Sequence, residues 1–320
     1  MPEAQQYYIG IDVGGTSVKL GLFDASGDLL ARESVPTPSL ACAEGHAAVV
    51  GGIERLMGSQ RQPMLFVRGI GLAIPCPVPA SGVITVAANI EIDAPALMAA
   101  LQDRCPGAAI RYVNDANAAA MGELWRGGAR GHRSMGMVTI GTGLGGGVVV
   151  NGDVVDGAFG AGGEIGHMCV NPAEERTCGC GRHGCLEQYA SATGVVSNYL
   201  RACERAGIEP VELAGPSDSR SVFDAARSGD AAALAAIDTT VDYLSLGLQI
   251  VSAVVDPEVY VIGGGASAGA ALFLDALRER FAARAFPASS KCAIEVAELG
   301  NDAGIFGAAY VALRSVQREA

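Results

Sequence analysis

The sequence predicts an α/β protein made of two similar lobes. Three observations carry this. Short β-rich runs alternate with helix-periodic stretches along the chain. A unit of strand, glycine loop, strand and turn opens the chain and recurs near its middle, the mark of an internal duplication. Glycine occupies 44 of 320 positions, about twice its ordinary share, and clusters between the strand-like runs. Two lobes facing each other across a cleft is the arrangement that the duplication implies.

The elements follow in order. Residues 7–11 form a short strand, followed by the loop Asp12-Val-Gly14-Gly15-Thr16, a strand over 18–23, a turn at 24–27 and a strand over 29–35. Residues 68–74 read as a strand ending in Pro75-Cys76-Pro77, and 95–102 as a helix with proline at its start. A strand at 110–113 leads into a helix at 116–125. The opening plan then returns: strand 137–140, the glycine loop 141–146, a strand over 147–150, and the hairpin-type turn Asn151-Gly152. Residues 207–221 are a polar, proline-bearing surface stretch. Residues 230–255 form a long helix, apolar on most faces and therefore central. A buried strand at 259–262 ends at Gly263-Gly264-Gly265, and helices at 273–286 and 302–316 close the chain. The lobe boundary is placed near Asp115. Residues 1–115, with the C-terminal helix at about 302–320, make the smaller lobe, and 116–301 make the larger one with a metal-binding loop at 164–187.

Composition removes several function classes. Asp and Glu number 34 against 22 Lys and Arg, a net charge of −12, which opposes binding to nucleic acid or to an anionic membrane. No apolar run appears long enough to span a bilayer; the best, residues 244–255, is short and interrupted by Ser245, Gln249 and Ser252. The first residues lack the basic start and apolar segment of a secretory leader, so the chain is expected in the cytoplasm.

In the cytoplasm thiols stay reduced, and the nine cysteines, an odd number, do not read as a disulfide framework. Cys178, Cys180 and Cys185 crowd into eight residues, with His167 just upstream. Thiolates and imidazole suit tetrahedral zinc, and four protein ligands leave no open position, so the metal would be structural. His183 is the rival fourth ligand; it stands so close to Cys185 that the two would struggle to reach one ion, which favours His167. Glu164 and Glu187 flank the ligand set. Carboxylates pinned by such a knot are suited to gripping the hydroxyls of a small polyol.

Each glycine loop alone would be explained by a tight turn. Together, each between two strands, they read as a pair of phosphate-binding loops. Gly14 and Gly15 let a bulky anion approach the backbone amides and Thr16 adds a hydroxyl, with Lys19 close by in the next strand. Asp12 would repel phosphate directly, so its role is to hold magnesium, through water. Thr142 and Gly143 offer the same donors from the second loop, and Gly264 and Gly265 let an adenosine lie on bare backbone. Neither loop matches a P-loop or a dinucleotide fingerprint. Asn114 and Asp115 sit where a strand gives way to a helix. Capping would explain them, but the carboxyl end of a strand is where open α/β sheets hold ligands. Asp115 there can accept the proton of a sugar hydroxyl that attacks phosphorus, and Asn114 can hold a neighbouring hydroxyl. Asn117 and Glu123 read as helix-face residues.

The segments from Asp12 to Thr16, Asn114 to Glu123, Gly141 to Gly147, Glu164 to His167 and Cys178 to Glu187 resemble the ROK family of bacterial sugar kinases and repressors, over nearly the whole chain. The resemblance implies an actin-like, ribonuclease-H-type duplicated fold closing around sugar and ATP. It implies Asp115 as general base, and Asn89, Asn114, Glu164, His167 and Glu187 as sugar contacts. It implies zinc on His167, Cys178, Cys180 and Cys185, with the other imidazole nitrogen of His167 facing the sugar. The branch most similar is the ATP-dependent glucokinases, which implies ATP, Mg2+ and a homodimer or homotetramer. Cys76 stands where that family often has glycine behind the sugar, and no aromatic residue follows Asn89. Both departures touch the sugar pocket. The expected reaction is transfer of phosphate from ATP to the 6-hydroxyl of a hexose, glucose first. Alternatives are N-acetylmannosamine, mannose, fructose or allose, and polyphosphate as donor. A repressor would need a DNA-binding module before Asp12, where about ten residues stand. A non-catalytic sugar-binding regulator is disfavoured by the intact loops and Asp115.

Overall fold

The structure is a computed structural model that describes residues 6–79, 81–82, 84 and 90–319. Its strands are β1 (Tyr7–Val13), β2 (Ser17–Asp24), β3 (Leu29–Pro36), β4 (Val67–Ile74), β5 (Ala109–Asn114), β6 (Met135–Ile140), β7 (Leu144–Val150), β8 (Asp153–Val154), β9 (Val259–Gly263) and β10 (Ala293–Val296). Its helices are α1 (Ala43–Ser59), α2 (Ala94–Arg104), α3 (Asp115–Arg126), α4 (Glu187–Ala190), α5 (Ala192–Ala206), α6 (Ser219–Arg227), α7 (Ala231–Val255), α8 (Leu274–Arg284) and α9 (Ala303–Glu319).

The expected duplication is present in the sheets. One sheet runs β3-β2-β1-β4-β5 and the other β10-β9-β6-β7-β8. In each, the first strand is central and pairs antiparallel with the next across the glycine loop; on its other side it pairs parallel with a later strand. The chain divides into two compact units, Met1–Gly131 with Val154–Gly163 and Glu298–Ala320, and His132–Asp153 with Glu164–Ala297. The expected division at Asp115 and this one differ chiefly by α3 and by Val154–Gly163, both of which fall in the first unit. That helix stays with the first unit because it packs along α9, so closely that a Cβ on Gly307 would lie 1.6 Å from the Ala118 carbonyl oxygen.

In the first unit the strand alternation sorts residues cleanly. Tyr7, Ile9, Ile11 and Val13 of β1 join Ile53 and Leu56 of α1 and Leu97 and Leu101 of α2 in one core. Tyr8 points the other way, into a cluster with Phe23, Ile305, Ala309 and Leu313. On that face α9 lies directly on backbone. A Cβ on Gly10 would stand 1.8 Å from the Ile305 carbonyl oxygen, and one on Gly71 1.9 Å from that of Ala308. Glycine here serves close approach and not a turn.

In the second unit, the apolar stretch that the sequence limits to 244–255 extends through α7, 25 residues long. By length and composition α7 could cross a membrane, a correction to the expectation, but 56% of its most apolar window is buried inside the protein. Its buried positions recur with helical spacing, from Ala233 through Ile237, Leu244 and Leu248 to Val251. The second glycine loop is shorter than expected. Strand β7 starts at Leu144, which is buried and pairs with Ile140, so only residues 141–143 remain as loop. Asn151 (φ 54°) and Gly152 (φ 85°) are both left-handed, as a tight hairpin turn requires. Helix α1 has no expectation to match it: Gly45, Gly51 and Gly52 lower its propensity, and burial of its apolar face supplies what propensity lacks.

Candidate active site

In the first unit the loop after β1 is tied down by its carbonyls. Thr37 donates its hydroxyl to the Gly14 oxygen at 2.6 Å and its N–H to the Thr16 oxygen at 3.2 Å, and Gly14 N–H bonds the Ser17 oxygen at 3.0 Å. Gly15 and Thr16 are exposed, and nothing lies within 4 Å of a Cβ on Gly15. The loop thus presents open backbone beside a hydroxyl, as an anion site needs. Asp12 is half-buried at the end of β1. Burial pushes its carboxyl pKa up, Lys19 draws it down, and the Asp115 carboxylate adds to the rise. Lys19 is also committed elsewhere: its ammonium donates to the Asn301 carbonyl at 2.9 Å.

Asp115 opens α3. Asn114 is the N-cap, its Oδ1 accepting from Ala116 N–H at 3.0 Å and Asn117 N–H at 3.1 Å. Its Nδ2 donates to the Cys76 carbonyl at 3.3 Å. Capping, anchoring and a bond to the Asp115 carboxylate therefore engage the Asn114 amide. The Asp115 Oδ1 accepts from Ala116 N–H at 2.8 Å, which orients the carboxylate. The side chain stays accessible to solvent, yet the protein packed around it removes enough water to raise its pKa. Backbone N–H groups and the Asn114 side chain oppose that rise. Burial, with the Asp115 charge adding to it, also raises the Cys76 thiol. Asn89 lies outside the described residues.

Three side chains here escaped the sequence reading. Asn117 is 2% exposed, not a surface residue. Its Nδ2 donates to Asp156 at 3.1 Å, while its buried Oδ1 has no partner among the described residues. Asp156 carries a pKa raised by burial and partly restored by that bond. The helix period gives the signal that was available: Asn117 shares its face with Ala120, Met121 and Leu124, all buried. Glu123 is fully buried; its carboxylate accepts N–H groups from Gly128 at 2.8 Å, Glu298 at 3.1 Å and Leu299 at 2.9 Å, joining α3 to the start of the C-terminal segment.

In the second unit the thiols and an imidazole converge. The ligand atoms of His167, Cys178, Cys180 and Cys185 all lie within 4.8 Å of one another. Cys180 and Cys185 sulfurs are 3.6 Å apart, and Cys178 Sγ is 3.7 Å from His167 Nδ1. Tetrahedral zinc with bonds of roughly 2.0–2.3 Å sets its ligand atoms about 3.5–3.8 Å apart, so this donor set fits zinc. His183 is not among them; its Nδ1 lies 3.0 Å from the Arg176 carbonyl oxygen. Glu187 sits next to this cluster at the start of α4. Its Oε2 accepts Leu144 N–H at 2.9 Å and its Oε1 accepts the Cys178 thiol at 3.4 Å. A Cβ on Gly143 would be 2.3 Å from Glu187 Oε2, so glycine there makes room for the carboxylate. The loop's carbonyls bond the start of α5: Gly141 O accepts Ala192 N–H at 2.9 Å and Thr142 O accepts the Thr193 hydroxyl at 2.8 Å. Thr142 and Glu164 are exposed, and His167 is half-buried. Gly264 is left-handed at φ 86° and lies against the Ile140 backbone, 2.6 Å from a built Cβ, with Gly265 exposed after it.

Known proteins share this layout. The glucokinase of Halalkalibacterium halodurans is 34% identical over 319 residues, covering 96% of this chain and 95% of that protein. The crystal structure of a ROK hexokinase from Thermus thermophilus superposes with a TM-score of 0.82 at 31% identity, over 98% of this chain and 100% of the other. A ROK family glucokinase from Streptomyces griseus, solved with glucose and AMPPNP, gives 0.72 at 29% identity, over 96% and 99%. A profile of the ROK family matches residues 8–315, nearly the whole chain, and with the duplicated sheets, the paired glycine loops and the Cys/His cluster in place, the protein belongs to the ROK family.

Proposed function

We propose that this protein is a sugar kinase that transfers phosphate from ATP to the 6-hydroxyl of a hexose, with glucose the first substrate to test. The observation that carries the reading is Asp115. It is a carboxylate at the carboxyl end of a strand, oriented by the Ala116 N–H and accessible to a ligand, and near enough to Asp12 for its charge to raise the Asp12 pKa. Asp115 accepts the proton of the attacking hydroxyl; Asn114, Asn89, Glu164, His167 and Glu187 hold the others. Gly14, Gly15, Thr16, Thr142 and Gly143 supply donors to the ATP phosphates, Lys19 adds charge, and Gly264 and Gly265 leave space for the adenosine. Asp12 would hold magnesium through water, and the ion neutralises phosphate charge when bound. Likeness to a glucokinase solved with glucose and AMPPNP supports this assignment.

His167, Cys178, Cys180 and Cys185 are the residues that would hold a structural zinc. A thiolate has no proton to donate, so Cys178 acting as a zinc ligand would give up its link to Glu187, and Oε1 would then be open to a sugar hydroxyl. Oε2 remains on Leu144 N–H, which keeps the side chain oriented. The cytoplasm, with its ATP and reduced thiols, is the place of action we infer. Cys76, whose carbonyl anchors Asn114, is the feature that favours testing other hexoses beside glucose. The deciding experiment measures ADP release with ATP as donor over glucose, mannose, fructose, allose, N-acetylglucosamine and N-acetylmannosamine, and sugar-phosphate formation with polyphosphate as donor. Glucose with ATP is expected to give the highest kcat/KM. Release with no sugar on the panel would overturn the assignment.

A further inference from the structure

A cavity of about 260 Å³ lies between α5 and α7 in the second unit, and none of the roles assigned above uses it. Arg201 and Arg205, one turn apart on α5, line it together with Asn171, Asn198, Tyr189 and Tyr243. Two like charges at this spacing cost a helix stability, and on a chain of net charge −12 their meeting at one polar cavity calls for an anion. Arg201 shares the Glu174 carboxylate, at 3.2 Å. Arg205 has no partner among the described residues. Asn198 is 5% exposed; its Nδ2 is used by Tyr189 O at 2.9 Å and Thr240 Oγ1 at 3.0 Å, and its Oδ1 accepts from no described residue. The rings of Tyr189 and Tyr243 stack at 3.8 Å between centroids, a stiff wall. Two guanidinium groups match a phosphate dianion. The Asn198 side-chain carbonyl oxygen and the tyrosines, which line the cavity, match hydroxyl groups.

The cavity is wired to α4. Tyr189 donates its hydroxyl to Glu174 at 2.5 Å and follows Glu187 by two residues in the same short helix. An anion that draws Arg201 off Glu174 leaves that carboxylate to Arg176 and the Tyr189 hydroxyl, which shifts its position on Tyr189 and with it the seat of Glu187. We propose that the cavity is a second ligand site for a small phosphate monoester bearing hydroxyls, and that filling it weakens sugar binding through Tyr189 and Glu187. The second half rests on Glu187 being a sugar contact.

Calorimetry on the full chain, with ribose 5-phosphate and separately with inorganic phosphate, tests the site. Ribose 5-phosphate is expected to bind once per chain and at least ten times tighter than inorganic phosphate. Arg205→Ala is expected to weaken it about 10- to 100-fold and Arg205→Lys less. Binding of neither probe, or equal affinity in Arg205→Ala, overturns the site. Equal affinity for the two probes overturns the need for hydroxyls and makes free phosphate the ligand. In initial-rate assays, saturating ribose 5-phosphate should raise the sugar KM of the wild type with kcat unchanged, and leave Arg205→Ala unmoved. Binding with a flat KM overturns the coupling. If no sugar is phosphorylated at all, the kinase assignment falls while calorimetry still decides the cavity.

Discussion

Replacing Gly304 by alanine tests whether the placement of Asp12 governs the reaction. Gly304 lies in the first turn of α9 with its Cα facing the Asp12 side chain. A built Cβ stands 2.6 Å from the carboxyl carbon and 2.7 Å from Oδ2. Carbon atoms pack at roughly 3.5 Å or more, so the carboxylate must retreat by about 0.9 Å. A shift near 1 Å in a group that positions a reactant costs up to about 100-fold in rate, or about 2.7 kcal/mol of barrier. The fold should lose little. Alanine gains about 1 kcal/mol over glycine in a helix, which offsets part of a steric cost of about 1–3 kcal/mol. The expected result is a Tm within about 5 °C of wild type. The kcat/KM for ATP should fall about 10- to 100-fold, with a higher magnesium requirement. Gly58→Ala, on α1 with nothing within 4 Å of the new methyl, is the control and should change neither. A Gly304→Ala enzyme of wild-type rate and magnesium dependence would refute a reaction that depends on where the Asp12 carboxylate sits.

Four further outcomes are expected. Asp115→Asn should lower kcat by roughly two to four orders of magnitude and leave sugar affinity intact by calorimetry; an unchanged kcat removes Asp115 as base. Because burial raises the Asp115 pKa, and the base works ionised, the acid limb of kcat/KM should rise with pH through a value above the ordinary ~3.9; a limb at or below that contradicts the reading. Metal analysis should find one zinc per chain, lost in Cys180→Ser together with a higher sugar KM, and a zinc-free wild type ends the cluster's metal role. Glu174 is held far below the usual carboxylate range, first by Arg176, then by Tyr189 and Arg201, and burial opposes them. Its contribution is complete above the unfolded value of about 4.3 and fades as pH falls toward the depressed folded value. Glu174→Gln should therefore cost about 2 kcal/mol at pH 7, with a Tm gap that narrows below about pH 4; a gap independent of pH would count against the ion pairs.

Much of this was legible in the sequence because the signals were local. Strand periodicity, the repeated order of strand and glycine loop, and the crowding of Cys178, Cys180 and Cys185 all act over a few residues. The choice of His167 over His183 also came from local spacing, and the structure puts only His167 in the cluster. What could not be read depended on partners far along the chain. Glu123 looks like a surface residue until its acceptors meet the N–H groups of residues 298 and 299. Asn117 looks the same until the segment with Asp156 arrives. Helix α1 is disfavoured by its own glycines and forms on a core supplied by β1 and α2. Asn114 is open in sequence to two roles, cap or sugar contact, and the structure shows the cap, with Nδ2 on the Cys76 carbonyl.

The glycine-floored seat of α9 has a consequence for biosynthesis. The helix that covers one face of the first sheet follows the last strand of that sheet only after residues 115–302 have been made. Until then Tyr8, Phe23 and the bare backbone at Gly10 and Gly71 lack their cover. The first-made strands therefore emerge with an unfinished, adhesive surface, and the arrival of α9 is the event that seals it.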